Sequence, residues 1–435
     1  MTSNRRKGDD IMQENRGGGS DVFRAWTSGA SLPEVVDVLR PKMLVHLRDD
    51  ILPFWMTRAV QGEPVGYFPT YISQDGKPNM TKPFYTRMHG RQTYSYLASY
   101  LLVQDERLLA LGKAGLARLS KLRNPKGGYY STSLPNGVPQ DTPISIQDQC
   151  YSVFPYIMAY RILGEREYLD IMWNFVDFIN DGPYRRDGRY VDSLFPDMTS
   201  IAPFQTGKFN IVSVIDFLNL ILIPLLQASP ESEVTEYRMM LLVKWCDMLI
   251  DGFFAGGIFW NDVENRSDWS ARHVDLGHTS KAYGVLLKAS QLLKRLGFET
   301  SRYDLIAKMY PPIARAASDA DVGWLTDFDG CPTRFRRTPL QWWRHILIDQ
   351  TVLLFSHVDE DLAGLLVNGV EAWLRLPYAD RIRPVRGIRE ALRPDGTPLD
   401  DSDALESKAN CWKNGYHEVE HVLSFFEEGG AYAQK

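Results

Sequence analysis

The residues best suited to proton transfer in this sequence are its eight histidines. Near neutral pH an imidazole can both take up and release a proton, so it can serve as a general base or a general acid. For any single histidine, the alternative is a packed side chain that satisfies its own backbone, and we assign His46 and His357 to such structural or surface roles. Four others stand at or near a predicted helix start: His89, His278, His345 and His417.

Two of these histidines have the most informative surroundings. His278 follows Gly277 at a predicted helix start, with Asp275 close enough in sequence to orient its ring. His417 ends the segment Trp412-Lys413-Asn414-Gly415-Tyr416-His417. These two positions are therefore the first candidates for acid/base chemistry.

Carboxylates offer a second kind of chemistry. Asp148 lies between Gln147 and Gln149 at another predicted helix start, and Asp349 lies one turn into a further helix. Paired carboxylates on one pocket, one acid and one base, would suit a glycoside hydrolase. Asp141 and Asp148 are near enough in sequence to face one opening, so this alternative stays open.

Tryptophans can stack on sugar rings, but aromatic residues mostly supply buried area, and we expect half or more of the candidates in the core. Trp342-Trp343, at a predicted helix start, is the pair that we expect to reach the pocket. The full set is Trp55, Trp260, Trp324, Trp342, Trp343 and Trp412.

The composition excludes several classes of protein. The chain has 435 residues, 44% hydrophobic and 24% charged, with a net charge of −5, which fits a folded chain with a large core. Without a basic excess, we expect neither nucleic-acid binding nor an anionic membrane surface. The most apolar stretch, 212–226, is interrupted by Asp216, Asn219 and Pro224, and the four cysteines are far apart, so we expect no membrane span or disulfide scaffold. A cytoplasmic enzyme or binding protein remains.

A repeat organises the chain. Glycine with neighbouring aromatic residues, a short extended run and a turn recur roughly every 60 to 67 residues. The clearest copies run from Gly66-Tyr67-Phe68 to Asp75-Gly76 and from Gly127-Gly128-Tyr129-Tyr130 to Asn136-Gly137, with weaker copies near 187–190, 256–260, 323–330 and 395–398. Because glycine tolerates positive φ, these turns predict about six β-hairpins.

Between the hairpins, apolar residues recur at helical spacing. Helices that directly follow a hairpin are apolar on several faces, whereas alternate helices carry a charged face. Six inner helices surrounded by six outer ones predict an all-α (α/α)6 barrel, with an open solenoid as the alternative. Pro155 and Pro224 should kink or end two inner helices. The predicted helices span 33–51, 84–102, 105–122, 145–163, 165–181, 207–228, 232–252, 277–296, 301–317, 339–356, 359–375 and 408–427.

This architecture predicts where a site would lie. Each hairpin connects an outer helix to an inner one, so the N-termini of the inner helices converge with the hairpins on one mouth of the barrel. A pocket there favours an anion, or negative charge that develops during a reaction. We expect a loose tail over residues 1–20 and a single catalytic domain over 21–435.

Four segments, in order along nearly the whole chain from about residue 30, carry a resemblance to a known family. They are Gly66-Tyr67-Phe68 with its Asp75-Gly76 turn, Gly90-Arg91-Gln92 with Tyr94, Leu276-Gly277-His278, and Trp412-Lys413-Asn414-Gly415-Tyr416-His417. The sequence resembles the N-acylglucosamine 2-epimerase superfamily, which includes cellobiose 2-epimerases and mannose-type aldose–ketose isomerases, all (α/α)6 barrels. The last segment is the most specific of the four.

The resemblance implies that His278 and His417 are an acid/base pair and that Arg91 binds sugar oxygens near the reacting carbon. In an opened aldose, one histidine would remove the C2 proton and leave a cis-enediolate. Returning the proton to the other face of C2 gives an epimer, and delivery to C1 gives a ketose. No cofactor or metal is implied, and no phosphate-binding glycine loop is evident. Further substrate contacts are expected from His89, Tyr94, Asp148, Trp342, Trp343, Trp412, Lys413 and Tyr416.

The sequence departs from the family pattern at three places. The family usually has a glutamate where this chain has Lys281, and often an arginine where it has Glu420. Many members also have a histidine at the start of the third inner helix, whereas 208–213 contains none. The first two changes suggest the hypothesis that Lys281 and Glu420 form one ion pair with exchanged charges; the alternative is that both face solvent.

A third hypothesis is a barrel that binds a ligand or partner without turnover, which the changes at Lys281 and Glu420 permit. The presence of Arg91, His278 and His417 together argues against it. We therefore predict a carbohydrate epimerase or isomerase that acts on a small-molecule carbohydrate. We expect no nucleic-acid or membrane partner and allow for a homodimer.

Overall fold

The apolar spacing that predicted the helices also sets the architecture of the barrel. The computed structural model describes residues 31–186, 189–202, 209–261, 266–381, 385–399 and 407–427; the predicted tail 1–20 lies outside them. In these ranges every predicted helical segment contains a helix: α1 Leu32–His46, α2 Thr86–Val103, α3 Glu106–Ser120, α4 Ile146–Val153 with Pro155–Leu163, α5 Arg166–Asn180, α6 Ile211–Asp216 with Ile223–Ala228, α7 Glu236–Phe253, α8 Leu276–Arg295, α9 Ser301–Ala307 with Tyr310–Ala317, α10 Trp342–Ser356, α11 Ala363–Arg375 and α12 Tyr416–Ser424.

Inner and outer helices alternate along the chain, which confirms the (α/α)6 barrel. The inner helix α2 is buried without interruption from Thr86 to Ser99, whereas the outer helix α3 buries only one face. Each even-numbered helix packs beside the next even-numbered one, and α12 packs beside both α10 and α2, so the inner ring is closed. Shorter helical pieces are Leu47–Ile51, Leu52–Trp55, Arg58–Gln61, Phe217–Leu222, Glu231–Glu233 and Glu360–Leu362.

The two prolines interrupt their inner helices as predicted. The first piece of α4 ends at Val153, and the second begins at Pro155 after Phe154. In α6 a π-helical stretch, Phe217–Leu222, precedes the piece that carries Pro224 near its start. Proline has no N–H for the helical ladder and its ring crowds the preceding turn, which explains both interruptions.

The short strands pair differently from the prediction of six local hairpins. The predicted turns at Gly76 and Gly137 are present, with φ of 80° and 93°. However, four of the eight two-stranded sheets in the described ranges join connections that are far apart in sequence. The antiparallel pairs are Ile72–Ser73 with Ser407–Ala409, Phe84–Tyr85 with Thr132–Ser133, Ile144–Ser145 with Ser193–Leu194, Arg185–Arg186 with Arg189–Tyr190, Phe254–Ala255 with Ile258–Phe259, Ser318–Asp319 with Gly323–Trp324, Asp327–Cys331 with Arg334–Arg336, and Leu340–Gln341 with Ala391–Leu392.

A recurring hydrogen bond links the start of an inner helix to the next connection along the ring. The first backbone N–H of α2 donates to the carbonyl of Ser131 at 2.9 Å, and that of α4 donates to Asp192 at 2.9 Å. The first N–H groups of α8 and α10 donate in the same way to Thr326 and Glu390, at 2.9 and 3.2 Å. Each bond satisfies an N–H that has no partner within its own helix, and it fixes where that helix begins.

The long apolar helix α6 belongs to the core. The range Ile211–Ala228 is long and apolar enough to cross a membrane by length and composition, but 78% of it is buried inside the barrel. One of the residues that interrupt its apolar sequence is Asp216, which is itself buried and faces the barrel opening described next.

Candidate active site

A cavity of about 450 Å³ opens at the mouth where the inner helices begin. Its wall contains ionisable side chains from four of these helices: Arg91 of α2, Asp216 of α6, Lys281 of α8, and the pair His278 and His417 from α8 and α12. The predicted convergence of helix starts on one mouth therefore holds for these residues. Arg91, His278 and His417, far apart in sequence, line one cavity.

His278 is anchored by a carboxylate. Asp275 caps α8: its Oδ1 accepts the backbone N–H of His278 at 3.0 Å, and its Oδ2 lies 2.7 Å from Nδ1 of the ring. A carboxylate can only accept, so Nδ1 carries the proton and Nε2 is left for the cavity. Burial would raise the pKa of Asp275, but the charges of His278 and Arg344 outweigh burial and hold that pKa below its usual range. Asp275 thus orients the ring, as its position suggested.

His417 has different neighbours. Neither ring nitrogen has a hydrogen-bond partner within the described ranges, and the ring lies near Trp342, at 6.2 Å between centroids. Burial, together with the positive charges of Arg91 and Lys281, lowers the pKa of His417 well below its usual value. The ring is therefore neutral near pH 7, the form that can accept a proton.

Arg91 is a buried guanidinium, and no carboxylate contacts it in the described part of the chain. Its Nη1 donates to the carbonyl of Trp412 at 3.0 Å, and its central carbon lies 3.8 Å from the ring centroid of Tyr151. Gly90 makes this position possible, because a Cβ there would lie 1.9 Å from the carbonyl oxygen of Tyr151. A buried cation without an anion favours negative charge in the cavity.

Lys281 does not meet Glu420, so the hypothesis of an exchanged ion pair is wrong. The Lys281 ammonium pairs with Asp216, which also accepts from Gln147 Nε2 at 2.9 Å. Burial would lower the pKa of Lys281, but the attraction of Asp216 outweighs it and raises that pKa, so the amine stays charged. Glu420 instead accepts a hydrogen bond from Tyr94, away from the cavity.

Six of the residues predicted to be catalytic or substrate-binding line the cavity. Trp342 and Trp343 reach it, as expected for the start of α10. Trp412 lies at its edge with 46% of its surface exposed, and the Arg87 guanidinium stacks 4.0 Å from its ring centroid. The others are Arg91, His278 and His417.

His89 and Tyr94 do not line the cavity, contrary to the expectation of substrate contacts. The His89 ring stacks on Phe68, at 4.8 Å between centroids, and Nε2 lies 3.0 Å from the carbonyl oxygen of Gly115. Tyr94 is buried one turn deeper than Arg91, with its ring 4.5 Å from that of Phe154. Both side chains therefore pack the interface between helices.

Asp148, Lys413 and Tyr416 also lie outside the cavity wall. Asp148 pairs with Arg87 at 3.0 Å. The Lys413 ammonium is buried and donates to the carbonyl of Ile388, while Tyr416 is 3% exposed among buried aromatic rings. These three residues therefore belong to the packing around the cavity and do not line it.

The histidine and carboxylate further along α10 are also structural. His345 Nε2 lies 2.9 Å from the carbonyl oxygen of Gly369, and Asp349 accepts from the Trp324 indole at 2.7 Å. Both are fully enclosed and absent from the cavity wall. The carboxylate pair required by the glycosidase alternative is thus not supplied by Asp148 and Asp349.

One histidine of the cavity was missed by the sequence interpretation. The loop before α8 contributes seven consecutive wall residues, 269–275, among them His273. The His273 ring is 4.6 Å from the His278 ring between centroids. The loop has no periodic pattern, so only its position, just ahead of Asp275, could have indicated it.

Comparisons with known proteins agree with this fold. No family model matches the chain. It is 23% identical to a cellobiose 2-epimerase from Bacteroides fragilis over 417 residues, covering 88% of this chain and 97% of that protein. The structure of cellobiose 2-epimerase from Spirochaeta thermophila superposes with a TM-score of 0.73 at 20% identity, over 92% of this chain and 98% of that one. A D-mannose isomerase structure gives a TM-score of 0.68 at 16% identity, over 86% and 94%.

Proposed function

We propose that this chain, a member of the N-acylglucosamine 2-epimerase superfamily, is a carbohydrate epimerase or isomerase that transfers a proton at C2 of an opened aldose. The observation that carries the proposal is the cavity that unites His278, His417 and Arg91. The resemblance implied these three residues for this chemistry. The relatives named above are cellobiose 2-epimerases and a mannose isomerase, which supports the class of reaction.

The different surroundings of the two histidines suggest their roles. His417 is kept neutral by burial and nearby cations, so it is suited to remove the C2 proton. His278 is held by the Asp275 carboxylate, which compensates a positive charge on its ring, so it is suited to deliver a proton. In the reverse reaction the two roles exchange.

Arg91 supplies the charge that the intermediate requires. Removal of the C2 proton from the open-chain aldehyde leaves an enediolate, with negative charge on oxygen. The buried Arg91 guanidinium has no carboxylate partner in the described ranges, so it is available to stabilise that oxygen. A proton returned to the opposite face of C2 gives the epimer, and one delivered to C1 gives the ketose.

The glycosidase alternative has less support. The cavity wall contains four carboxylates in the described ranges, and each already has a polar partner. Asp216 pairs with Lys281, Asp275 with His278, Asp327 with Arg344 and Glu390 with Asn410. A hydrolase of this kind requires one carboxyl group that holds a proton and a second that activates water or attacks carbon.

The test is incubation in D2O with free aldoses, ketoses, N-acylhexosamines and disaccharides, read by mass spectrometry and proton NMR. We expect deuterium at C2 or C1 of a substrate, with the product separating epimerase from isomerase. His278→Asn and His417→Asn should each slow exchange by about 100-fold or more, because each removes a general acid or base. His357→Asn, outside the cavity, is the matched control. Cleavage without carbon-bound deuterium would favour the hydrolase, and binding without exchange or cleavage would favour the non-catalytic barrel.

A further inference from the structure

The loop 269–274 covers one side of the cavity beside the catalytic histidines proposed above. His273 is its only histidine, and its ring makes an edge contact with the His278 ring at 75° between planes. His278 in turn contacts the Trp343 ring, 4.7 Å away between centroids. The cavity therefore holds three histidines in the described ranges, His273, His278 and His417.

The backbone of His273 is held in an unfavourable conformation. Its φ is 68°, in the left-handed region, where a residue with a Cβ is strained and glycine or asparagine is better accommodated. In the described ranges, two other non-glycine residues share this feature, Gln104 and Met198. A strained residue on a cavity wall is a recognised mark of a functional position, because folding alone would favour its replacement.

The side chain of His273 also lacks a hydrogen-bond partner at one ring nitrogen in the described ranges. Its Nε2 is buried and has no hydrogen-bond partner in the described ranges. Burial and the neighbouring charges of His278 and Arg272 lower the pKa of His273 to about 3, so the ring is neutral under ordinary conditions. A buried polar atom without a partner calls for an explanation, and a ligand group in the adjoining cavity would supply the missing hydrogen bond.

We propose that His273 is a third imidazole of the active site, which contacts a hydroxyl group of the sugar substrate through Nε2. This rests on the proposed function and deepens it. The contact is with an uncharged, hydroxyl-rich ligand, because a neutral imidazole exchanges hydrogen bonds with hydroxyl groups, whereas an anionic group would favour the cations of the wall.

The first experiment compares His273→Gly and His273→Asn with the wild-type protein. Both residues tolerate the left-handed backbone, so we expect the Tm of each variant to equal or exceed that of the wild type. We expect kcat/KM for deuterium exchange to fall at least 10-fold. Gln104→Gly is the matched control: its φ is 54° and it lies outside the cavity, so it should leave exchange unchanged.

A second measurement does not depend on turnover. NMR of protein labelled at the histidine rings identifies the His273 signal by its absence in His273→Gly. We expect this signal to shift when D-mannose is added and to show no protonation between pH 5 and pH 8, an interval well above its lowered pKa of about 3.

Three outcomes would overturn the proposal: unchanged exchange in both variants, a fall in Tm that accompanies the loss of activity, or a His273 signal that does not respond to the sugar. Failure of the proposed function is distinguishable from these. If the wild type exchanges no deuterium but the His273 signal shifts with D-mannose, the chain binds sugars through His273 without the proposed proton transfer. If neither occurs, both proposals fall.

Discussion

At the scale of single residues, His278 and His417 differ in the sign of the charge beside each ring. Asp275 stands at 2.7 Å from the ring of His278, whereas Arg91 and Lys281 are the charges that act on His417. In the proposed mechanism, these neighbours give two chemically identical side chains opposite tasks. This difference can be tested by changing the neighbours and leaving the histidines in place.

Asp275→Asn should lower kcat by about 100-fold while the protein stays folded. Asparagine is as good a helix cap as aspartate, but it cannot balance a positive charge on His278. The measurements are kcat by deuterium exchange and Tm. Asp105→Asn makes the same change at the cap of α3, outside the cavity, and should leave kcat unaltered. If Asp275→Asn kept the wild-type kcat, the Asp275 carboxylate would have no part in the proposed mechanism.

Lys281→Met should move the acidic limb of the pH profile to higher pH, by about one unit. His417 must be neutral to accept a proton, so activity is lost as the pH falls through its pKa. Lys281 helps to lower that pKa, and its removal lets the pKa rise. The measurement is kcat/KM against pH, with Lys281→Arg as the charge-retaining control. Since Asp216 also loses its partner, we expect a loss of about 3 to 5 kcal/mol of stability.

At the scale of elements, the sequence predicted the helices well because apolar spacing is a local property. It did not predict the strand pairs, because the partner of Phe84–Tyr85 is Thr132–Ser133 and no local pattern marks that pairing. For the same reason helix α12 begins at Tyr416 and not at 408: Ser407–Ala409 instead pairs with Ile72–Ser73.

Helix geometry explains which of the predicted residues line the cavity. Successive residues of a helix turn by about 100°, so His89 and Arg91 point in nearly opposite directions and cannot both face the cavity. Arg91 faces inwards, and His89 packs against α3. The sequence placed both at the start of α2 but did not fix the rotation of the helix. His273 lies in a loop, where no periodicity exists to reveal it.

Gly90→Ala should disrupt the contact between α2 and α4. The new Cβ would meet the backbone oxygen of Tyr151 at 1.9 Å, so the helices must separate and carry Arg91 away from its position. We expect a loss of about 1 to 3 kcal/mol in the free energy of unfolding, with lower activity. Gly364→Ala in α11 is the control, because no atom lies within 4 Å of its added Cβ. We expect this variant to gain up to about 1 kcal/mol in the free energy of unfolding.

At the scale of the whole molecule, a buried cluster of charged side chains stabilises the connection between α11 and α12. Asp380 accepts from Arg389 at 2.9 Å and from Lys408 at 2.9 Å, and all three side chains are buried. Lys408 lies in the strand that pairs with Ile72–Ser73, so the cluster supports the contact between the first and last units.

Asp380→Asn should therefore destabilise the entire barrel. It removes the carboxylate charge that both buried cations contact, at an expected cost of about 3 to 5 kcal/mol. Urea denaturation followed by circular dichroism measures the change, with the exposed Asp395→Asn as control. A variant as stable as the wild type would show that other contacts hold the last unit.

Because the ring of helices is closed, we expect that the fold does not depend on which unit comes first along the chain. The Arg40 side chain of α1 donates to the carbonyl of Phe425, just after α12, at 2.6 Å, so the first and last described helices are neighbours in space. A short peptide could join them, and new termini could be opened between two outer elements elsewhere. We expect such circular permutants to assemble the same barrel, because the starts of four inner helices are held by the next connection whichever unit is made first.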